Sequence, residues 1–587
     1  MSGVLEIPAF VIGLAGLTGV YDKICLIWKT LAQAANYGDD IADILTQVEI
    51  EYFRFEMWWS AMADLVKDTK GPQQKARTAA PKGSLFALMQ ESMSSQFLST
   101  VTQIQTGFEK IEQILKKNGS LSTLNELAKK PPLSTSPGAL STPVECTQES
   151  RRTRARELLK NTSFTRRIIH SAKPWGDADK DELEKEAQKL RNWNNQLYSI
   201  LPQRLRDVIL EQGISGYLLH DTRAATAISS LGSTSAVIKT ANLVLLRGQT
   251  SQAAGHDRPA TNVMAEEIRE ASNFTCTSAS LDTIWSSSHY TPPPTPLRPS
   301  TTSRVLIEWY TSPAGSYLKA MERLARLSHL LRAEHKPSTL GTLSSRGIVP
   351  SPNIDAIGLV FSIPPTADPT KLPISLHQLL EHKPPRPLPT LHQRLHLASA
   401  LSSTLYTFLL ARWHHKRFFS DSIVFLYELS HMGPLPDLAR PYVAGFGLSR
   451  PEDPQATSFP LARAEFEAYL HPALLAAEAA GVTPPKARAA FDVYSFGLVL
   501  VEIGFWIPLR KIVGDGGGNG GAEAVRKRVV DKCERDLACW SGERYRDVTL
   551  RCLRAEDVDK GGVGEELSDF FDVVVAELAR CCEGPEM

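Results

Sequence analysis

The sequence predicts two unlike parts in one chain: an N-terminal all-α helical bundle and a C-terminal α+β unit. Three observations carry this. Apolar residues recur at three- and four-residue steps through much of the first 222 residues, which is the pattern of helices with one buried face. From Val305 the texture changes to β-type runs alternating with helical ones. Between the two, residues 223–303 are poorly patterned, and Thr275–Ser303 is dense in Ser, Thr and Pro, which reads as a linker or a domain edge. The expected domains are therefore 1–222, 223–303 and 304–587, and a chain of 587 residues is too long for one core in any case.

In the first part, Ile7–Tyr21 is an uncharged apolar stretch. Ile41, Ile44, Leu45, Val48, Tyr52, Phe55, Trp58 and Met62 make one face of the next helix, with Asp39 or Asp40 placed to cap it. Leu85–Ile114 is a further helix. Lys67–Gly83 and Lys130–Glu149 read as loops, and helical patterning returns at Arg151 and over Asp181–Ile209. In the second part, Val305–Tyr310 and Ile357–Ile363 read as strands. Lys319–Arg332 reads as a helix, and Leu391 to Phe408 as a strongly amphipathic one. Gly514–Gly521 lacks the Lys and Ser/Thr of a phosphate loop and reads as a flexible insertion.

Composition narrows the function. A net charge of +1 supplies no global attraction to nucleic acid or anionic lipid. The eight cysteines show no C-x-x-C spacing and suggest free thiols in a reducing compartment, with no metal centre. The first basic residue is Lys23, which argues against a secretory leader, and no run reaches the ~20 apolar residues of a comfortable membrane span. No cofactor and no nucleic-acid partner is expected.

The most specific motif is Asp492-Val-Tyr-Ser-Phe-Gly497, which resembles the D-x-[WY]-S-x-G segment opening the central helix of protein kinases. In that family the Asp holds the backbone of the catalytic loop, so its presence says nothing about activity. The other kinase motifs follow upstream in order, with their chemistry replaced. His415-Lys416-Arg417 stands where the family reads H-R-D, so Arg417 occupies the position of the catalytic base, which a guanidinium cannot fill. Ser422 stands at the metal-binding Asn, with Asp421 one residue away. Gly445-Phe446-Gly447 stands for D-F-G without the metal-binding carboxylate. Val305-Leu306-Ile307-Glu308 stands for V-A-I-K with its lysine reversed in charge, and no G-x-G-x-x-G precedes it. Tyr469-Leu470-His471-Pro472 is similar to a degenerate A-P-E, and Arg551-Cys552-Leu553 to the last family helix. The resemblance implies a two-lobed α+β kinase fold without catalysis: His415, Phe446, Gly447, Asp492 and Gly497 would be structural, and Glu308, Arg417, Ser422 and Gly445 degenerate positions. Phosphoryl transfer rests on positioning and charge neutralisation, so little of it should survive these losses. His414 reads as part of a wet loop and His415 as a histidine bonded to backbone.

The opening segment Pro8–Asp22, then Tyr37-Gly-Asp-Asp40, the aromatic-rich helix through Trp58 and Trp59, and Lys173-Pro-Trp175 through Leu201 resemble the fungal HeLo domain over about residues 4–222. That family, linked to prion inhibition and propagation, is a helical bundle of programmed cell death in heterokaryon incompatibility. Its N-terminal apolar segment is thought to enter membrane, which would assign that role to Phe10, Val11, Ile12, Gly13, Leu14, Gly16, Leu17 and Gly19. The C-terminal amyloid motif of some members has no counterpart in Ala576–Met587. Read without the resemblance, the 15 residues Ile7–Tyr21 span ~22 Å as a helix, short of the ~30 Å hydrocarbon core, and favour a buried core helix in the resting bundle. The basic stretch from Arg151 to Arg167 reads as a solvated helix face, with anionic lipid as the alternative.

The combined expectation is a non-catalytic signalling protein of fungal cell death. A membrane-active helical domain would be regulated by a pseudokinase, with protein partners, self-association, lipid contact through the N-terminal segment, and recruitment from cytoplasm to plasma membrane. The rivals are a binding adaptor without membrane activity and an active kinase with unusual residues.

Overall fold

The computed structural model describes residues 20–28, 30–31, 39–67, 91–117, 175–199, 206, 225, 229, 239–245, 274–276, 285–290, 303–311, 317–332, 336–350, 356–368, 371–381, 388–429, 435–451, 468–480, 482, 488–514, 521–554 and 570–583. The chain divides into two compact units, Met1–Gly232 with Pro585–Met587, and Ser233–Gly584.

The first unit is helical. Residues 20–28 precede α1 (Asp39–Lys67), α2 (Glu91–Lys117) and α3 (Asp177–Tyr198). The apolar face of α1 is buried at Ile41, Leu45, Val48, Tyr52, Phe55 and Trp58, while Ile44 is only half-buried. Aromatic rings hold the first helix to α1: Trp28 stacks on Tyr52 with centroids 4.4 Å apart, and Tyr21 on Trp59 at 4.7 Å. A polar cluster crosses from α1 to α3. Arg54 pairs with Glu51 at 2.8 Å and donates to Asn195 Oδ1 at 2.6 Å. Asn194 Nδ2 donates to the Glu51 carboxylate at 2.9 Å, and Trp58 Nε1 to the Leu197 carbonyl at 2.8 Å. Buried polar groups are tolerable when bonded like this. The third helix begins at Asp177, four residues before the sequence pattern places it, because the Gly176 carbonyl accepts the first helical amides, Asp179 and Lys180. The side chains of Asp39, Asp40 and Met62, the start of the second expected helix at Leu85–Gln90, and the stretch from Arg151 to Arg167 lie outside the described residues.

The second unit begins with an antiparallel sheet of five strands in the order β1-β2-β3-β5-β4. These are β1 (Phe274–Cys276), β2 (Trp285–Tyr290), β3 (Ser303–Thr311), β4 (Ser344–Pro350) and β5 (Ala356–Ser362). A helix, α4 (Tyr317–Leu330), lies between β3 and β4 in the chain. The reading of Thr275–Ser303 as a linker is corrected here: part of it forms β1 and β2, with β2 paired to β3 over six residues, Trp285↔Glu308 to Tyr290↔Ser303. Pairing of backbone to the strong strand β3 overrides the weak side-chain signal of a Ser-rich segment. One face of the sheet packs Val305, Ile307, Val349 and Val360, with Trp309 against them. By strand alternation Leu306, Glu308 and Tyr310 take the other face.

A helical part follows. It includes α5 (Leu376–Glu381), α6 (Leu391–Leu410), α7 (Pro472–Ala479), α8 (Ala489–Phe505), α9 (Glu543–Leu553) and α10 (Ala576–Cys581). Thr390 caps α6 in a reciprocal box with Gln393: the Gln393 backbone N–H donates to Thr390 Oγ1 at 3.2 Å, and Gln393 Oε1 accepts the Thr390 N–H at 2.9 Å. The central helix α8 is apolar almost all round and buried from Ala490 to Phe505 apart from Phe491, as a helix at the middle of a core must be. Gly497 lets α9 approach: a Cβ there would lie 2.9 Å from Cys552 Cβ. Short strands β6 (Ile374–Ser375), β7 (Trp413–His414), β8 (Ile423–Phe425), β9 (Tyr442–Val443) and β10 (Arg450–Pro451) form two small sheets, β6-β8-β9 and β10-β7. Of the Gly514–Gly521 insertion, residues 515–520 lie outside the described residues.

Candidate functional site

Of the positions singled out from the sequence, Glu308 and Ser422 meet Gly445 at one turn, Gly445–Gly447, where β9 leads into β10. Glu308 reaches it from β3. Its side chain is fully buried, and its Oε1 accepts the Gly445 N–H at 2.7 Å. The next amide, Phe446 N–H, donates to the Tyr310 hydroxyl at 3.0 Å, and Arg323 of α4 donates to the Gly447 carbonyl at 2.6 Å. Burial raises Glu308 from 4.5 to about 7; the Tyr310 hydroxyl, the two turn amides and the Arg417 guanidinium oppose it without prevailing.

Two glycines are required by this geometry. Gly445 has φ of 81°, in the left-handed region, and a Cβ on it would sit 2.9 Å from Ser422 Cβ. A Cβ on Gly447 would meet the Tyr310 ring at 2.9 Å. A side chain at 445 would therefore be strained, and one at 447 would press on the Tyr310 ring.

Phe446 is buried between Phe361 of β5, Phe408 of α6 and His415, at centroid distances of 6.4, 6.0 and 5.1 Å. This apolar column runs from the sheet to the helical part. His415 is fully buried, its Nδ1 accepts the Arg417 N–H at 3.3 Å, and burial drives it down to about 3, so it is a neutral packing residue. His414 is not in a wet loop. It is buried in β7, paired with Arg450 of β10, and burial lowers it to about 4. Asp492, at the start of α8, accepts the backbone N–H of His415 at 2.8 Å and of Lys416 at 2.7 Å. These bonds hold Lys416 at φ of 63°, a conformation unusual for a side-chain-bearing residue. Ser422 is turned onto its own loop: its Oγ donates to the Arg417 carbonyl at 2.5 Å and accepts the Phe419 N–H at 3.1 Å. Glu502, buried in α8, accepts from the Tyr469 hydroxyl at 2.7 Å and Leu509 N–H at 2.8 Å, which ties the Tyr469–Pro472 segment to the central helix.

Among the described residues no group of three His, Cys, Asp or Glu side chains is placed to hold a metal ion, and no helix is long and apolar enough to cross a membrane. Phe10, Val11, Ile12, Gly13, Leu14, Gly16, Leu17 and Gly19 lie outside the described residues. Sequence reasoning missed Tyr310 and Arg323. The alternation along β3 placed Tyr310 on the face of Glu308, and that was the signal available.

The first unit is thus an α-helical domain with an aromatic and polar core. Residues 9–231 match the model of the HeLo family, described as prion-inhibition and propagation. No curated protein shows a significant match to the chain.

Proposed function

We propose that this chain is a non-catalytic signalling protein of fungal cell-death control, in which a membrane-active HeLo domain is regulated by a kinase-like domain unable to transfer phosphate. The observation that carries the second half is Glu308. A carboxylate on β3, bonded to the Gly445 amide, occupies the region where a kinase needs a lysine and a metal-binding aspartate. The kinase-like reading is supported by the β1-β2-β3-β5-β4 sheet with a helix between β3 and β4, and by Asp492 holding the His415–Lys416 backbone. The HeLo match supports a role in prion-inhibition and cell-death signalling.

Two assays test the proposal. Purified full-length protein is incubated with magnesium and labelled ATP; no transfer is expected, and a signal abolished by Asp421→Asn would overturn the non-catalytic reading. Leakage from anionic liposomes is measured for the full chain, for residues 1–232, and for residues 1–232 carrying Leu14→Lys. A lysine at mid-membrane costs about 2.5–3.5 kcal/mol, so a folded Leu14→Lys form should not leak. If neither the full chain nor the isolated domain permeabilises liposomes, membrane activity is lost from the proposal and a binding adaptor takes its place.

A further inference from the structure

The three contacts on the Gly445–Gly447 turn come from two elements of the upper part of the unit: Glu308 and Tyr310 from β3, Arg323 from α4. Each uses a different backbone group of the turn, so they act in parallel rather than as one bond counted three times. One of the three, from the Arg323 guanidinium to the Gly447 carbonyl, is made by a charged side chain, and bonds of that kind are about twice as strong as neutral ones. Phe446 is clamped between Phe361 of the sheet and Phe408 and His415 of the helical part, so the turn touches both.

We infer that Glu308, Tyr310 and Arg323 form a built-in clasp that joins the five-stranded sheet to the helical part through the Gly445–Gly447 turn, with no need of a bound nucleotide or metal. The inference deepens the proposal above, since its meaning for nucleotide rests on the kinase-like reading. In a nucleotide-dependent cleft, phosphates and metal bridge the two parts; here protein groups occupy both ends of the bridge. Opening of the unit then requires a partner or a covalent change that breaks protein–protein hydrogen bonds, and nucleotide concentration does not set it.

The test is hydrogen–deuterium exchange on the full chain, read over residues 442–447. Glu308→Leu removes the acceptor of the Gly445 amide, and Tyr310→Phe that of the Phe446 amide while keeping the ring against Gly447. Glu308→Gln keeps an acceptor. Exchange of the segment should rise roughly 10- to 100-fold in Glu308→Leu and in Tyr310→Phe, the effect of one lost buried hydrogen bond, and stay within a few-fold in Glu308→Gln. Millimolar magnesium-ATP added to the wild type should leave the segment unchanged. Wild-type exchange in a folded Glu308→Leu or Tyr310→Phe form overturns the clasp, and so does protection of the turn by magnesium-ATP. If Glu308→Leu does not fold, Tyr310→Phe decides. The phosphotransfer assay is independent of this result: a transfer signal removes the non-catalytic reading, whereas altered exchange without nucleotide reports on the clasp alone.

Discussion

Glu308→Gln separates the charge of this buried carboxyl from its shape. The glutamine oxygen still accepts the Gly445 N–H, and its amide nitrogen falls where Glu308 Oε2 makes no hydrogen bond. Burial raises the Glu308 carboxyl from 4.5 to about 7. An acid whose folded pKa is raised binds its proton more tightly in the folded state. Its contribution to stability is therefore complete below 4.5 and is lost as pH climbs through about 7. At 1.36 kcal/mol per unit, that displacement is about 3 kcal/mol. Gln has nothing to titrate, so the stability of Glu308→Gln relative to wild type should rise by up to about 3 kcal/mol between acid and mildly alkaline pH. Taking the difference between the two proteins removes the other buried groups. Glu502 at about 7 and Asp492 at about 6 titrate with the same sign as Glu308. His414 at about 4 and His415 at about 3 oppose it, because a base kept neutral by burial loses stability as pH falls. Thermal melts of both proteins between pH 4.5 and 8 are the assay, and the melting-temperature difference should open by roughly 5 °C or more at ~2–4 °C per kcal/mol. A difference that stays constant across that range would refute the account of Glu308 as a buried carboxyl ionising near neutrality.

Three further outcomes are expected. Asp492→Ala strands the His415 and Lys416 amides, and stability should fall by about 2 kcal/mol or more in acid, with the loss shrinking as pH climbs from 3.8 through about 6, because the raised carboxyl itself costs stability once ionised. Gly445→Asp, which restores the kinase aspartate, places a Cβ 2.9 Å from Ser422 Cβ at φ of 81°; denaturation should show a loss of about 1–3 kcal/mol, with no metal-dependent transfer gained. Arg54→Ala leaves Glu51 buried without its cation and should lower the stability of the helical unit by about 3–5 kcal/mol, read by circular dichroism melting; a change under about 1 kcal/mol would mean the pair is solvated rather than buried.

Periodicity and local motif chemistry were legible from the residues alone. The stripe from Ile41 to Trp58 requires a helix with a buried face, and α1 buries six of those positions. The β-branched runs of β3 and β5 and the uncharged length of α8 announce themselves for the same reason: side-chain pattern is a local property. The short β1 and the Ser-rich β2 carry no such pattern, because what holds them is backbone pairing, of β2 to β3 and of β1 to β2, and β4 is interrupted by a register shift between Ser345 and Gly347. His414 was misplaced because its burial depends on β10, a strand 36 residues downstream. The site divides along the same line. On the proposed kinase-like reading, replacement of the lysine, base and metal positions is written in the residue types Glu308, Arg417 and Gly445. What Glu308 does instead is not, for its partner lies 137 residues away, and a carboxylate shows no preference for a distant amide until the fold brings the two within 2.7 Å and excludes water from both.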